Sequence, residues 1–181
     1  MSHSVYSLRC TRDCSELKSI SDQFRHRLWR PSLFAVKPAG LPLMPFVVWW
    51  IFHQLRVFAN RDYGIFVVYD GLRLIHRSCI FPRYFRFPFM SKDDLQIGDT
   101  WTDPSYRGQG LAKFGLQEAV RQSGQPGRRF WYVVDDDNAP SINVVETAGF
   151  TANGEVRRTR RCGLRLLGGF VVENAEHATP V

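Results

Sequence analysis

The sequence predicts an α/β domain with a mixed sheet, antiparallel in its first half and built around a βαβ crossover in its second. Three observations carry this. Tyr63 to Tyr69 (YGIFVVY) and Leu72 to Phe81 (LRLIHRSCIF) are β-branched and aromatic runs joined by Asp70-Gly71, a hairpin turn signal. Leu95 to Thr102 (LQIGDTWT) is strand-like and is followed by a Gly-rich turn, then by apolar residues at helical spacing. Phe130 to Val134 (FWYVV) is apolar without alternation, as a strand buried on both faces beside a parallel neighbour reads.

The remaining elements follow in order. Val5 to Leu8 forms a first strand. Cys14 to Arg27 reads as a helix, because Leu17, Ile20, Phe24 and Leu28 share one face. Residues 31–45 are rich in Pro and Gly and form an ordered loop. Leu41 to Phe58 (LPLMPFVVWWIFHQLRVF) is too short in its uninterrupted apolar part for the ~20 residues of a membrane span. His53, Gln54 and Arg56 interrupt it, and Pro45 suits a helix start, so it is a buried or half-buried helix. Pro82 to Met90 is irregular and aromatic. Gln109 to Gln122 is the helix after the Gly-rich turn. Asn138 to Ala148 is a short helix ended by Gly149. Two strands follow Phe150, around a turn near Cys162-Gly163. The reading is one domain over residues 1–173 and a disordered tail at 174–181.

Composition narrows the class. The 181 residues are 44% hydrophobic and 23% charged, as a globular domain is, with a net charge of +7. That balance favours anionic partners. No nucleic-acid-binding motif is present, so nucleic acid is not expected. Cys10, Cys14, Cys79 and Cys162 have no zinc or redox spacing, and no metal is expected. With a polar N-terminus as well, the expected compartment is the cytoplasm. A homodimer is compatible with the sequence. A peripheral membrane contact through Trp49 and Trp50 is the lesser alternative to their burial.

The chemistry concentrates at Arg107-Gly-Gln-Gly110-Leu-Ala112. Strand, Gly-rich turn and helix together aim free backbone N–H groups and a helix N-terminus at an anion such as a diphosphate. Glycine there lets the backbone approach its ligand closely.

Two separated motifs then agree. Arg107-x-x-Gly110-x-Ala112 resembles the acyl-CoA pyrophosphate loop of the GCN5-related N-acetyltransferase (GNAT) superfamily, written Q/R-x-x-G-x-G/A. Asn138-Ala-Pro-Ser141 through Gly149-Phe150 resembles its second signature, and Asp103-Pro104-Ser-Tyr106 resembles the lead-in to its loop. The matching residues run from Leu95 to Phe150. The resemblance implies a mostly antiparallel central sheet with one splayed parallel pair and helices on both faces. It implies acetyl-CoA as co-substrate, lying between the Leu95 to Thr102 and Phe130 to Val134 strands. Arg107, Gly108, Gln109, Gly110, Leu111 and Ala112 would hold the diphosphate, with the backbone of Trp101 and Thr102 on the pantetheine. An amide there would stabilise the oxyanion. Asn138 would contact the cofactor arm; Ser141 has a competing role in the first helical turn.

The resemblance also shows where this chain departs. The Tyr that many members use as general acid, four residues before the Gly of Gly-Phe, is Val145, which does no proton chemistry. Tyr132 and Tyr106 are the alternative donors. An alkyl amine near pKa ~10 must lose a proton before attack. The positions where relatives carry Glu or His are Gln96 and Gly98. The remaining candidates are Asp99, which reaches that face only if a bulge reverses the alternation, and His76 on the hairpin. The cluster Arg157, Arg158, Arg160, Arg161 and Arg165 is either a solvated strand face or a phosphate grip.

The implied activity is transfer of acetyl to a primary amine of a small molecule. Phe46, Trp49, Trp50, Tyr84, Phe85 and Phe87 suit an aromatic platform for a sugar, and arginines suit a diphosphate. The second signature also resembles relatives in bacterial surface-glycan pathways. An amino sugar, free or nucleotide-linked, is therefore the expected acceptor. An amino-acid or protein N-acetyltransferase and a non-catalytic acyl-CoA-binding module are the alternatives.

Overall fold

The computed structural model describes residues 3–10, 20, 23–159 and 168–173. Its strands are β1 (His3–Arg9), β2 (Phe24–Trp29), β3 (Gly64–Asp70), β4 (Arg73–Pro82), β5 (Leu95–Thr102), β6 (Arg129–Asp135), β7 (Thr151–Arg158) and β8 (Phe170–Glu173). Its α-helices are α1 (Phe46–Gln54), α2 (Leu111–Ser123) and α3 (Ala139–Thr147). The sheet order is β2-β3-β4-β5-β6-β1-β7-β8, antiparallel throughout except for β5 beside β6.

One expectation is corrected. The helix expected from Cys14 to Arg27 ends instead in a strand, since residues 24–27 belong to β2, paired with β3 from Phe24↔Asp70 to Trp29↔Ile65. Phe24 and Leu28 are four apart, an even spacing that shares a face in a strand as it does in a helix. The edge of β3 decides between them. Residues 14–19, 21 and 22 of that stretch, the turn near Cys162, Arg160, Arg161, Arg165 and the tail 174–181 lie outside the described residues.

β5 and β6 stay together for three pairs only: Leu95↔Phe130, Gln96↔Trp131 and Ile97↔Tyr132. The buried carboxylate of Asp94 fastens the paired end. It accepts from the Ser91 N–H (2.9 Å), the Arg129 N–H (3.4 Å) and the Trp131 indole (2.9 Å). Beyond Ile97 a bulge bends β5: Asp99 has φ 47°, and Asp99 and Thr100 together face Ser78 of β4. β5 then follows β4, while β6 follows β1 through His3↔Asp135.

Each face of the sheet carries a core. α2 and α3 cover one with Leu111, Phe114, Leu116, Val120 and Val145, against Ile75, Ile80, Ile97 and Phe130. Each such side chain contributes about 1.5–3 kcal/mol when fully buried. α1, the stretch after it and the irregular 82–90 segment cover the other with Phe46, Phe58, Tyr84, Phe87 and Met90. Trp49 meets Phe81 at a ring distance of 4.9 Å and also packs against Tyr84. Three of the six rings expected as an acceptor platform are therefore core: Phe46, Tyr84 and Phe87 are buried.

His76 is also interior. Its Nδ1 is 2.9 Å from Thr102 Oγ1, and its Nε2 is 3.1 Å from Ser78 Oγ. Helix α2 passes over it at Gly115, where a Cβ would stand 2.2 Å from Nε2. Burial, aided by Arg77, pushes the imidazole pKa down to about 3. It is thus a neutral packing residue with both nitrogens engaged, which is not the setting of a base that meets an acceptor.

Two consequences are measurable. Gly115→Ala should destabilise the fold by about 1–3 kcal/mol despite Ala's better helix propensity, read as a lower urea midpoint. Because His76 takes up its proton at about 3 when folded and near 6.5 when unfolded, the unfolded state binds more protons between those values. Stability is therefore full above 6.5 and falls as pH drops towards 3. His76→Gln should flatten that slope between pH ~7 and ~5; His53, lowered by burial in the same direction, leaves part of it.

Candidate active site

The Gly-rich turn is built to leave its amides open. Asp103 caps a short 3-10 turn, Pro104–Tyr106, accepting from the Ser105 N–H at 3.0 Å. The chain then turns through Gly108 (φ 76°) and Gly110 (φ 78°), left-handed conformations that favour glycine. A Cβ at either would meet nothing within 4 Å, so the space in front of the turn is open. Gly110 is the N-cap of α2 and offers no side-chain cap, so the first N–H groups of the helix have no intrahelical acceptor. Arg107, Gly108, Gln109 and Gly110 are exposed, Leu111 is buried and Ala112 half-buried. The Arg107 guanidinium reaches back to the Thr102 carbonyl (Nε–O 3.3 Å), tying the turn to the end of β5. An exposed ring of amides at the positive end of a helix is a binding place for a phosphate or diphosphate.

Behind the turn lies the opening between β5 and β6. Thr100, Trp101 and Thr102 fall on β5 after its last pair with β6, and Tyr132 is the β6 residue at the point of parting. Burial raises the Tyr132 pKa, partly offset by hydrogen bonding with Thr100 and Ser141. Its hydroxyl therefore keeps its proton at neutral pH inside the opening. Ser78 Oγ is 3.3 Å from Thr100 Oγ1, so a polar strip runs from His76 through Ser78 and Thr100 towards Tyr132.

The bulge puts Asp99 on the other side of β5, where Gln96 and Gly98 also point. Its carboxylate accepts from Arg77 twice, Nη2 at 2.9 Å and Nε at 3.2 Å, and from the Cys79 thiol at 3.6 Å. Burial pushes the Cys79 thiol well up, so it stays protonated as a donor. The Arg77 guanidinium lies over the Trp101 ring (5.5 Å) and the Phe46 ring (5.7 Å). Arg77, Asp99 and Trp101 thus form one exposed-to-half-buried group beside α1.

Other expected residues have local duties. Asn138 is the N-cap of α3, its side-chain oxygen accepting from the Ser141 N–H at 3.2 Å, and Ser141 stands near Tyr132. Val145 is fully buried. Tyr106 donates to Asp70 Oδ2 at 2.7 Å, facing the β3–β4 hairpin and not the opening. Arg157 pairs with Glu173 along β7 and β8. The Arg77–Asp99 pair and the Thr100–Tyr132 contact escaped sequence reasoning, because both depend on the bulge. Gly115 was a readable signal: a lone Gly inside a helical pattern marks a close approach.

Comparison with known proteins agrees with this geometry. Residues 22–150 match the acetyltransferase (GNAT) family. No curated protein matches the chain. Among solved structures, a GCN5-related N-acetyltransferase from Sphaerobacter thermophilus superposes with a TM-score of 0.57 at 15% identity, over 85% of this chain and 49% of that one. An acetyltransferase of the GNAT family from Colwellia psychrerythraea gives 0.54 at 17% identity, over 83% and 52%. The ribosomal-protein-S18-alanine N-acetyltransferase of Escherichia coli gives 0.50 at 15% identity, over 74% and 82%. At these identities the likeness is one of fold, and the chain spans about half the length of the first two. The match over most of its length, on a sheet that parts where an acyl donor needs room, means that the chain belongs to the GNAT acetyltransferase family.

Proposed function

We propose that this domain transfers acetyl from acetyl-CoA to a primary amine of a small molecule, an amino sugar that carries a nucleotide diphosphate. One observation carries the reading: the amides at the start of α2, which no cap side chain meets, lie on the glycine turn that follows β5 beyond the point where it leaves β6. Arg107 and the turn amides would hold the diphosphate. The backbone ends of Trp101 and Thr102, past the last β5–β6 pair, would hold the pantetheine. The co-substrate, when bound, supplies a thioester carbonyl for the amine to attack.

The chain's own residues then divide the proton work. Tyr132 holds a proton in the opening and donates a hydrogen bond to the departing sulfur, the duty that Val145 cannot perform. Asp99 is the carboxylate on the acceptor side, and an incoming amine would compete with Arg77 for it. A half-buried Trp101 beside an arginine and a carboxylate suits a polar ring that bears an amine. The likeness of the second signature to relatives in surface-glycan pathways supports the same acceptor.

One observation favours a second reading, a non-catalytic acyl-CoA-binding module: His76 is enclosed and Asp99 is already paired. Thiol release from acetyl-CoA across a panel of amino sugars and other amines separates the two. A binding module would saturate with acetyl-CoA and release no thiol with any amine.

Gly110→Glu should weaken acetyl-CoA binding by on the order of 100-fold in calorimetry, about 2.7 kcal/mol, by placing a carboxylate against the diphosphate. Gly110→Ala, which adds only backbone strain, should lose far less. Tyr132→Phe should lower kcat by up to about 10²-fold with KM little changed, since it removes an acid and no ground-state contact. An unaltered kcat would remove Tyr132 from the proton path.

A further inference from the structure

The face formed by the 31–45 loop, α1 and the 83–92 segment combines exposed apolar residues with basic ones. Its exposed apolar residues are concentrated: Phe34 is 98% exposed, Leu55 71%, Leu33 69%, and Leu43 and Met44 59% each. Ile51, Val57 and Phe85 continue the same surface. Isolated exposed apolar residues are ordinary, but a contiguous group is not.

The loop is fixed in this display. Leu41 is buried, Gly40 packs against Leu74, and Tyr69 donates to the Ala39 carbonyl at 2.8 Å. Trp50 donates its indole N–H to the Ser32 carbonyl at 2.8 Å, which lays Leu33 and Phe34 along α1. Trp49 turns inward, so neither tryptophan is the leading contact; Phe34, Leu43, Met44 and Leu55 are.

The charge around this face is one-sided. From Gln23 to Arg61 the chain contains no Asp or Glu. Beside Leu55 and Phe85 opens a cavity of about 740 Å³, lined by Arg56, Arg61, Arg83 and Lys92 with no carboxylate. It lies at the end of the sheet away from the Gly-rich turn, so the acetyl-CoA reading leaves it unused. A second copy would bring like charge against like charge. A surface of acyl chains under phosphate headgroups matches both the apolar residues and the cations. We propose that this face docks on an anionic bilayer, with Phe34, Leu43, Met44 and Leu55 at the acyl boundary and the basic cavity over the lipid phosphates. Among the described residues no helix is long and apolar enough to cross a membrane, so the contact is peripheral.

Co-sedimentation of the full chain with phosphatidylcholine vesicles, with and without phosphatidylglycerol, tests this. Binding is expected only with phosphatidylglycerol, and high salt should release it. Arg83→Ala with Lys92→Ala should lower partitioning about 30-fold, at roughly tenfold per 1.4 kcal/mol and about 1 kcal/mol per cation. Phe34→Glu with Leu55→Glu should lower it at least about tenfold. All four residues lie outside the acetyl-CoA site, so acetyl-CoA affinity and the thermal midpoint should not move. Absence of wild-type binding to phosphatidylglycerol vesicles would overturn the proposal. So would full binding by the Phe34/Leu55 variant, or a wild-type dimer in sedimentation equilibrium that this variant abolishes. Because the wild-type vesicle result needs no variant to fold, it decides the question even if the substitutions destabilise the chain.

Discussion

The parting of β5 from β6 is the constraint on which the rest depends. Parallel strands normally continue side by side, since each residue added supplies a backbone bond. Here two devices prevent that. The Asp94 carboxylate holds the two strand starts together through Ser91, Arg129 and Trp131. The bulge at Asp99 then turns β5 towards β4. A gap at one end of a sheet exposes unpaired backbone, which must find another partner. In a member of this family that partner is expected to be the arm of an acyl donor, and the amides of the Gly-rich turn stand at its entrance.

Features written in short-range chemistry were readable. Gly108 and Gly110 announce the turn because left-handed backbone selects glycine, and Asn138 and Gly149 bracket α3 by cap chemistry. The hairpin at Asp70-Gly71 and the limits of β5 came out for the same reason. What depends on distant partners did not. Residues 24–29 join a sheet edge that only β3 supplies. Asp99 changes face through one positive φ, so the alternation of residues leaves its side conditional on a bulge. His76 is sealed by Gly115, thirty-nine residues on in the chain, a distance that sequence spacing does not bridge.

The two faces of β5 then carry different chemistry. Thr100 and Thr102 look towards α2 and α3, in a hydroxyl-lined strip with Ser78, His76 and Tyr132. Asp99 and Trp101 look towards α1 and share Arg77. One extra residue in one strand separates the neutral hydroxyl side from the charged side. Donor and acceptor can therefore be handled by opposite surfaces of the same eight-residue strand.

The placement of β1 has a consequence for how the chain reaches this form. His3–Arg9 lies between β6 and β7, so this strand finds both its neighbours far along the chain from itself. Closing loops of that length costs entropy before any contact repays it. The β2–β5 meander can assemble during translation, while the seam made by β1 must wait until β7 has emerged. The line of β6 beside the gap is therefore set by contacts distant in sequence, through its pairing with β1.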